Sequence, residues 1–204
     1  MTDRDDALLP PTPWHTIGPF FPGTFFRAGD NDLRRRSADH PPTPRGKALV
    51  LRGRVLEEGG APCANAVLEA WQADAGGRFR HPLDPAWREA DPDFLGWGRA
   101  RTDGEGRYEF RTVMPGGYRD PAGTRAPHVN LAVLGSGIMR RLVTTVFFPD
   151  EAGNGADPVL GALPDPGLRA RLIALPDGET EDGVRAFRFD IRLRGERETP
   201  FFED

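Results

Sequence analysis

One cysteine, Cys63, is the only thiol in the sequence. It cannot close a disulfide within the chain, and alone it excludes a zinc finger. A chain without a disulfide framework fits the reducing cytoplasm. No apolar run approaches the roughly 20 residues that a membrane-spanning helix needs. The first residues, MTDRDDALLPPTP, are acidic and lack an apolar stretch of signal-peptide length. No block of like charge reaches five residues, and the net charge is −4. The densest basic patch, DLRRR ending at Arg36, reads as a solvated face and not as a nucleic-acid groove. The four histidines, His15, His40, His81 and His128, form no H-x-H, H-x-x-x-H or H-E-x-x-H pair. There is no G-x-S-x-G, no P-loop and no calcium loop. On motifs alone the chain has no metal site or catalytic triad of its own.

What is abundant is glycine, at 25 residues, and proline, at 21. That disfavours long helices and favours short strands joined by turns. Residues 1–46 read as an irregular N-terminal arm. Its prolines at 10, 11, 13, 19 and 22 alternate with Trp14, Phe20, Phe21, Phe25 and Phe26. So aromatic a stripe is expected to pack on its own domain or on a partner. A short helix is expected near DNDLRRRSADH. Residues 47–204 read as one β domain. KALVLRGRVLEE, ANAVLEAWQAD, TDGEGRYEFRTV, PHVNLAVL, RRLVTTVFF and AFRFDIRLRG each show strand patterning. PHVNLAVLGSG and RRLVTTVFF form a hairpin with the glycines at its bend. At least six strands in one domain give an all-β sandwich or barrel. The best helix candidate is PGLRARLIAL, residues 166–175.

Few residues carry chemistry. In a strand His128 and Asn130 share a face, the spacing at which two histidines would converge on a metal. His128 alone reads as a satisfied core histidine or as half of such a pair. Tyr118 follows MPGG and reads as a turn-anchoring phenol or as a ligand. Trp71 and Gln72 have an equally structural reading as core strand and exit turn. TIGPFF is either a docked arm or one that faces a substrate.

Seven segments taken together resemble the intradiol ring-cleavage dioxygenases. They are TPWHTIGPFFPGTF, VLEAWQADAGGRFRHP, GWGRARTDGEGRYEFRTVMPG, APHVNLAVL, RRLVTTVFFPDE, DPVL and FRFDIRLRGERETPFF. The likeness runs over nearly the whole chain in order. Within the family it is nearest to the alpha subunits of enzymes that cleave protocatechuate and pair an alpha with a beta subunit. The resemblance implies a β-sandwich with few short helices and a ferric ion held by two tyrosines and two histidines. Phenolates are hard anionic donors that suit Fe(III). Carried onto this sequence, the four ligand positions are Phe79, Tyr118, His128 and Asn130. Phe79 has no phenolic oxygen, and Asn130 offers only a neutral amide.

The resemblance therefore implies that this chain binds no metal and has no catalytic residue of its own. The Fe(III) then belongs to a beta subunit of similar fold. The small-molecule partners are a catechol and O₂, with no nucleic acid and no membrane. The resemblance also places Gly18, Pro19 and Phe20 at the beta subunit's pocket across the subunit interface. Phe20 stands where the family usually has tyrosine. Ser136 stands in a loop where the family often has an arginine. Two other readings remain: a self-sufficient dioxygenase with an altered metal site using Tyr118, His128 and His81, and a purely structural partner.

Overall fold

The computed structural model describes residues 21–135, 138 and 140–203. Two sheets form a sandwich. The first contains β1 (Ala48–Leu56), β4 (Arg107–Val113), β9 (Leu175–Glu179), β10 (Arg185–Arg188) and β11 (Ile191–Arg192). Its order is β4-β1-β10-β9, with β11 alongside the far end of β1. The second sheet contains β2 (Val67–Trp71), β3 (Trp97–Arg101), β7 (His128–Leu134) and β8 (Leu142–Phe147). Its order is β3-β2-β7-β8, all antiparallel. A separate hairpin, β5 (Tyr118–Asp120) with β6 (Gly123–Arg125), projects between β4 and β7 in the chain.

Alternation along the strands decides what meets between the sheets. Leu49, Leu51, Phe110 and Phe187 of the first sheet pack against Leu68, Ala70, Leu131, Val133 and Val146 of the second. Phe148 closes onto Phe187 edge to face, with ring centroids 5.0 Å apart. Each fully buried Leu or Phe of this kind contributes about 1.5–3 kcal/mol. A second apolar cluster, Ala126, Phe147, Leu160 and Leu172, lies around α1 (Pro158–Ala162) and the segment following α2 (Pro166–Ala170). It packs on the side of β8 that Phe147 presents. Near β2, by contrast, Trp71 stays partly open to solvent.

The C-terminal pattern AFRFDIRLRG forms two strands where the alternation predicts one. The ladder to β1 breaks at Phe189 and Asp190. The Phe189 carbonyl turns inward and accepts the buried Tyr108 hydroxyl at 2.6 Å. Gly53 makes room for it: a β-carbon there would lie 2.0 Å from that oxygen.

Two expected helices differ. DNDLRRRSADH is turn and bridge. Asp32 accepts from the Arg34 backbone N–H and from the Arg34 and Arg35 guanidinium groups. Nearby backbone groups serve sheet edges: Leu33 N–H donates to the Arg111 carbonyl, and Arg99 N–H donates to the Asp30 carbonyl. This segment therefore seals the edges of β4 and β3, and Leu33 enters the core. In PGLRARLIAL only Pro166–Ala170 is helical. Backbone bonds between Phe147 and both Leu172 and Ala174 pull the chain straight, and Leu175 opens β9.

Candidate functional site

The four implied ligand positions lie at one end of the second sheet. His128 opens β7, and Asn130 follows on the same face. Asn130 pairs with Trp71 on one side and with Thr145 on the other. Tyr118 opens the β5–β6 hairpin, and Phe79 lies in the loop after β2.

That loop is positioned by Gln72 and Asp74. Gln72 is buried; its amide donates to the Ala73 and Val113 carbonyls and accepts from Thr112. The strand exit is thus tied to the opposite sheet. The Asp74 carboxylate accepts from the backbone N–H of Gly76, Arg78 and Asp91. Its carbonyl accepts from Gly116 N–H. Gly77, at φ +76°, then meets Gly117 backbone to backbone; a β-carbon at Gly77 would lie 2.1 Å from the Gly117 oxygen. The glycines of DAGGRF and MPGGY are therefore what brings Phe79 to Tyr118.

The rings form a continuous cluster. Trp71 stacks on Phe79 at 5.8 Å and 10°. Phe79 meets Tyr118 edge to face at 5.1 Å, and Tyr118 lies 5.5 Å from His128. His128 Nδ1 donates to the Ala126 carbonyl at 2.6 Å, which leaves Nε2 as an acceptor. The Tyr118 hydroxyl donates to it at 3.3 Å. Burial lowers the His128 pKa from 6.5 to about 4 and raises that of Tyr118. Both groups are accordingly neutral at pH 7.

Behind them stands a clamp that the sequence pattern did not single out. Arg125 pairs with Asp157 at 3.0 Å and with Asp120 at 3.3 Å. Asp157 is buried, accepts from Ala126 N–H, and caps α1 through Val159 N–H. The signal was present in DPVL: aspartate at the N-cap with proline at the first helical position.

The residues present do not fit a ferric ion. Phe79 supplies no donor atom. The Asn130 carbonyl oxygen accepts from the Thr145 hydroxyl at 2.9 Å. Tyr118 and His128 are hydrogen-bonded to each other. His81 stands apart from this pair, edge-on to Trp71 at 6.3 Å. Among the described residues no group of three or more His, Cys, Asp or Glu is placed to hold a metal. Gly18, Pro19, Phe20 and Ser136 lie outside the described residues.

A family model described as "Dioxygenase" matches residues 17–195. This chain belongs to the intradiol dioxygenase family. It is 36% identical over 203 residues to a protocatechuate 3,4-dioxygenase alpha chain of Pseudomonas putida, spanning 96% of this chain and 98% of that one. It is 40% identical over 176 residues to a protocatechuate 3,4-dioxygenase beta chain of Burkholderia cepacia, spanning 84% and 74%. Among solved structures it resembles the dioxygenase domain of a carbohydrate-binding fusion protein from Streptomyces sp. SirexAA-E. That match has 25% identity and a TM-score of 0.55 over 94% of this chain and all of that one.

Proposed function

We propose that this chain is the non-iron alpha subunit of a protocatechuate 3,4-dioxygenase. The observation that carries the reading is the loss of donors at Phe79 and Asn130 in a chain that matches alpha chains end to end. The iron-bearing partner is a beta subunit of the same fold. The assembled enzyme inserts both atoms of O₂ between the hydroxyl-bearing carbons of 3,4-dihydroxybenzoate, giving 3-carboxy-cis,cis-muconate. The beta subunit's ferric ion supplies the oxygen chemistry. This chain walls, dries and orients the pocket across the interface. Gly18 permits close backbone approach, Pro19 stiffens the arm, and Phe20 adds an aromatic wall. Ser136 offers the substrate carboxylate one neutral hydrogen bond. The site of action is the cytoplasm.

The test is co-expression with the beta chain, followed by ring-cleavage assays on protocatechuate and catechol. Gly18→Val should lower kcat/KM while leaving the iron spectrum of the complex intact. Unchanged turnover would make this chain a structural partner only. A second reading, a self-sufficient dioxygenase, draws on the higher identity to a beta chain. It requires near-stoichiometric iron in the chain purified alone.

A further inference from the structure

The break in the ladder at Phe189 and Asp190 does not change the register. Arg188 lies beside Arg52 of β1, and Arg192 beside Leu56. Four residues of β1, about 13 Å of strand, therefore separate the two arginines. Phe189 and Ile191 enter the core, so Arg188, Asp190 and Arg192 share the opposite face. Arg171, from the segment after α2, and Arg197, from the turn that precedes the C-terminal tail, flank that face. The four arginines line one cleft of about 500 Å³, together with Ile173 and Leu175. Asp190 is the only carboxylate in its lining among the described residues. A chain of net charge −4 thus gathers four cations around one anion.

These cations are weakly committed. Arg171 donates to the Glu198 carbonyl at 3.2 Å, and Arg188 stands 4.0 Å from Asp190 at the surface. The Arg192 and Arg197 guanidinium groups make no hydrogen bond or ion pair among the described residues. Arg197 also holds φ at +65°, in the turn that Glu198 N–H closes on the Gly195 carbonyl at 3.0 Å. A residue with a β-carbon is strained there, and glycine would make the same turn without strain. A strained residue whose side chain the fold does not use points to a ligand.

We propose that this cleft binds a diphosphate group, free or carried by a nucleoside. Guanidinium forks match phosphoryl oxygens in charge and geometry. Arginines spread along the strand and over both flanking segments suit two linked phosphoryl groups better than one. Leu175, 55% exposed, forms an apolar ledge beside them that is open to a nucleobase. No bond is made or broken there. The seat needs neither a partner subunit nor iron, so it stands or falls separately from the subunit assignment.

The experiment is isothermal titration of the full-length chain with sodium pyrophosphate at low salt. Saturable one-site binding is expected, with Kd on the order of 10–100 µM. It should weaken about fivefold or more at about 200 mM salt. Orthophosphate should bind at least about tenfold more weakly. ADP binding as tightly as pyrophosphate, or more tightly, assigns a nucleoside diphosphate; weaker ADP binding assigns the free anion, and either supports the seat. Arg192→Gln should raise the pyrophosphate Kd about five- to tenfold. Arg197→Gly should do the same while Tm holds or rises, because glycine relieves the positive φ. Arg36→Gln, which removes an exposed charge elsewhere, should leave the Kd unchanged. No saturation by about 1 mM pyrophosphate would overturn the site. So would an unchanged Kd in both cleft variants, or equal weakening in Arg36→Gln. A lower Tm in Arg197→Gly would overturn the reading of the strained turn.

Discussion

The buried imidazole of His128 makes stability depend on pH in a defined window. In the unfolded chain a histidine takes its proton near pH 6.5; in the fold His128 takes one only near pH 4, chiefly because burial disfavours the cation. Between those values the unfolded state binds the extra proton, so stability falls as pH is lowered from about 7 to about 4. Above and below the window this group contributes no slope. The whole gap corresponds to about 3 kcal/mol. Between pH 7 and pH 5 about 2 kcal/mol of it develops. Carboxylates held low, such as Asp32, lose their contribution only at more acid pH. The assay is urea unfolding of the parent and of His128→Gln at several pH values from 7 to 5. The variant should be less stable at pH 7, because the imidazole's packing on Tyr118 and Phe147 is lost, yet its stability should change less across the window. His15, His40 and His81 are common to both proteins and cancel. Equal slopes in parent and variant, or an imidazole resonance of His128 that titrates near 6.5, would refute the reasoning.

Gly53→Ala should destabilise by more than about 3 kcal/mol, because the new methyl group meets the Phe189 carbonyl at 2.0 Å; thermal unfolding measures it, and a near-wild-type Tm would exclude the inward carbonyl. Asp157→Asn should cost about 1.5–3 kcal/mol in denaturant unfolding by weakening the charge-assisted bond to half-buried Arg125, which keeps Asp120. The pair Phe79→Tyr with Asn130→His should gain iron and a visible tyrosinate band that the parent lacks; metal analysis and absorption after dialysis decide it.

The strands were legible because a half-buried strand alternates, and seven of the eleven among the described residues lie in the six segments that carried enough apolar residues to show it. β3, WGRAR, was hidden because its outward positions are arginine and tryptophan and its inward ones are glycine and alanine. The β5–β6 hairpin and β9 are short and half exposed, so no periodicity marks them. The two expected helices were misread for one reason. DNDLRRRSADH and the second half of PGLRARLIAL have helical composition, but their backbone groups are claimed by neighbouring strands. Tertiary hydrogen bonding overrides propensity there. At the site, Phe79, Tyr118, His128 and Asn130 were named as a set only through the family resemblance; periodicity alone offered the His128 and Asn130 pair on one strand face. Of the Arg125–Asp157 clamp only the Asp157 cap left a signal, the Asp-Pro of DPVL; that it pairs with Arg125, 32 residues away, could not be read.

The four positions that the family resemblance implies as ligands do not form a hole here. His128 is buried and Tyr118 half-buried, and a buried polar group left unpaired costs about 1–3 kcal/mol. Here the phenol donates to Nε2, Nδ1 donates to the Ala126 carbonyl, and the Asn130 oxygen takes the Thr145 hydroxyl. None of these atoms is left without a partner; among the described residues the only buried side-chain polar atom so left is Asn154 Oδ1. These hydrogen bonds satisfy the polar groups without an ion. Phe79→Tyr alone would add a phenol while Tyr118 and His128 stayed committed to each other. A ferric ion would have to displace the Tyr118 proton, break that bond and find a fourth donor at Asn130. Positions 79 and 130 are therefore coupled through Tyr118 and His128. Iron binding should need Phe79→Tyr and Asn130→His together, and either change alone should leave the neutral pair in place.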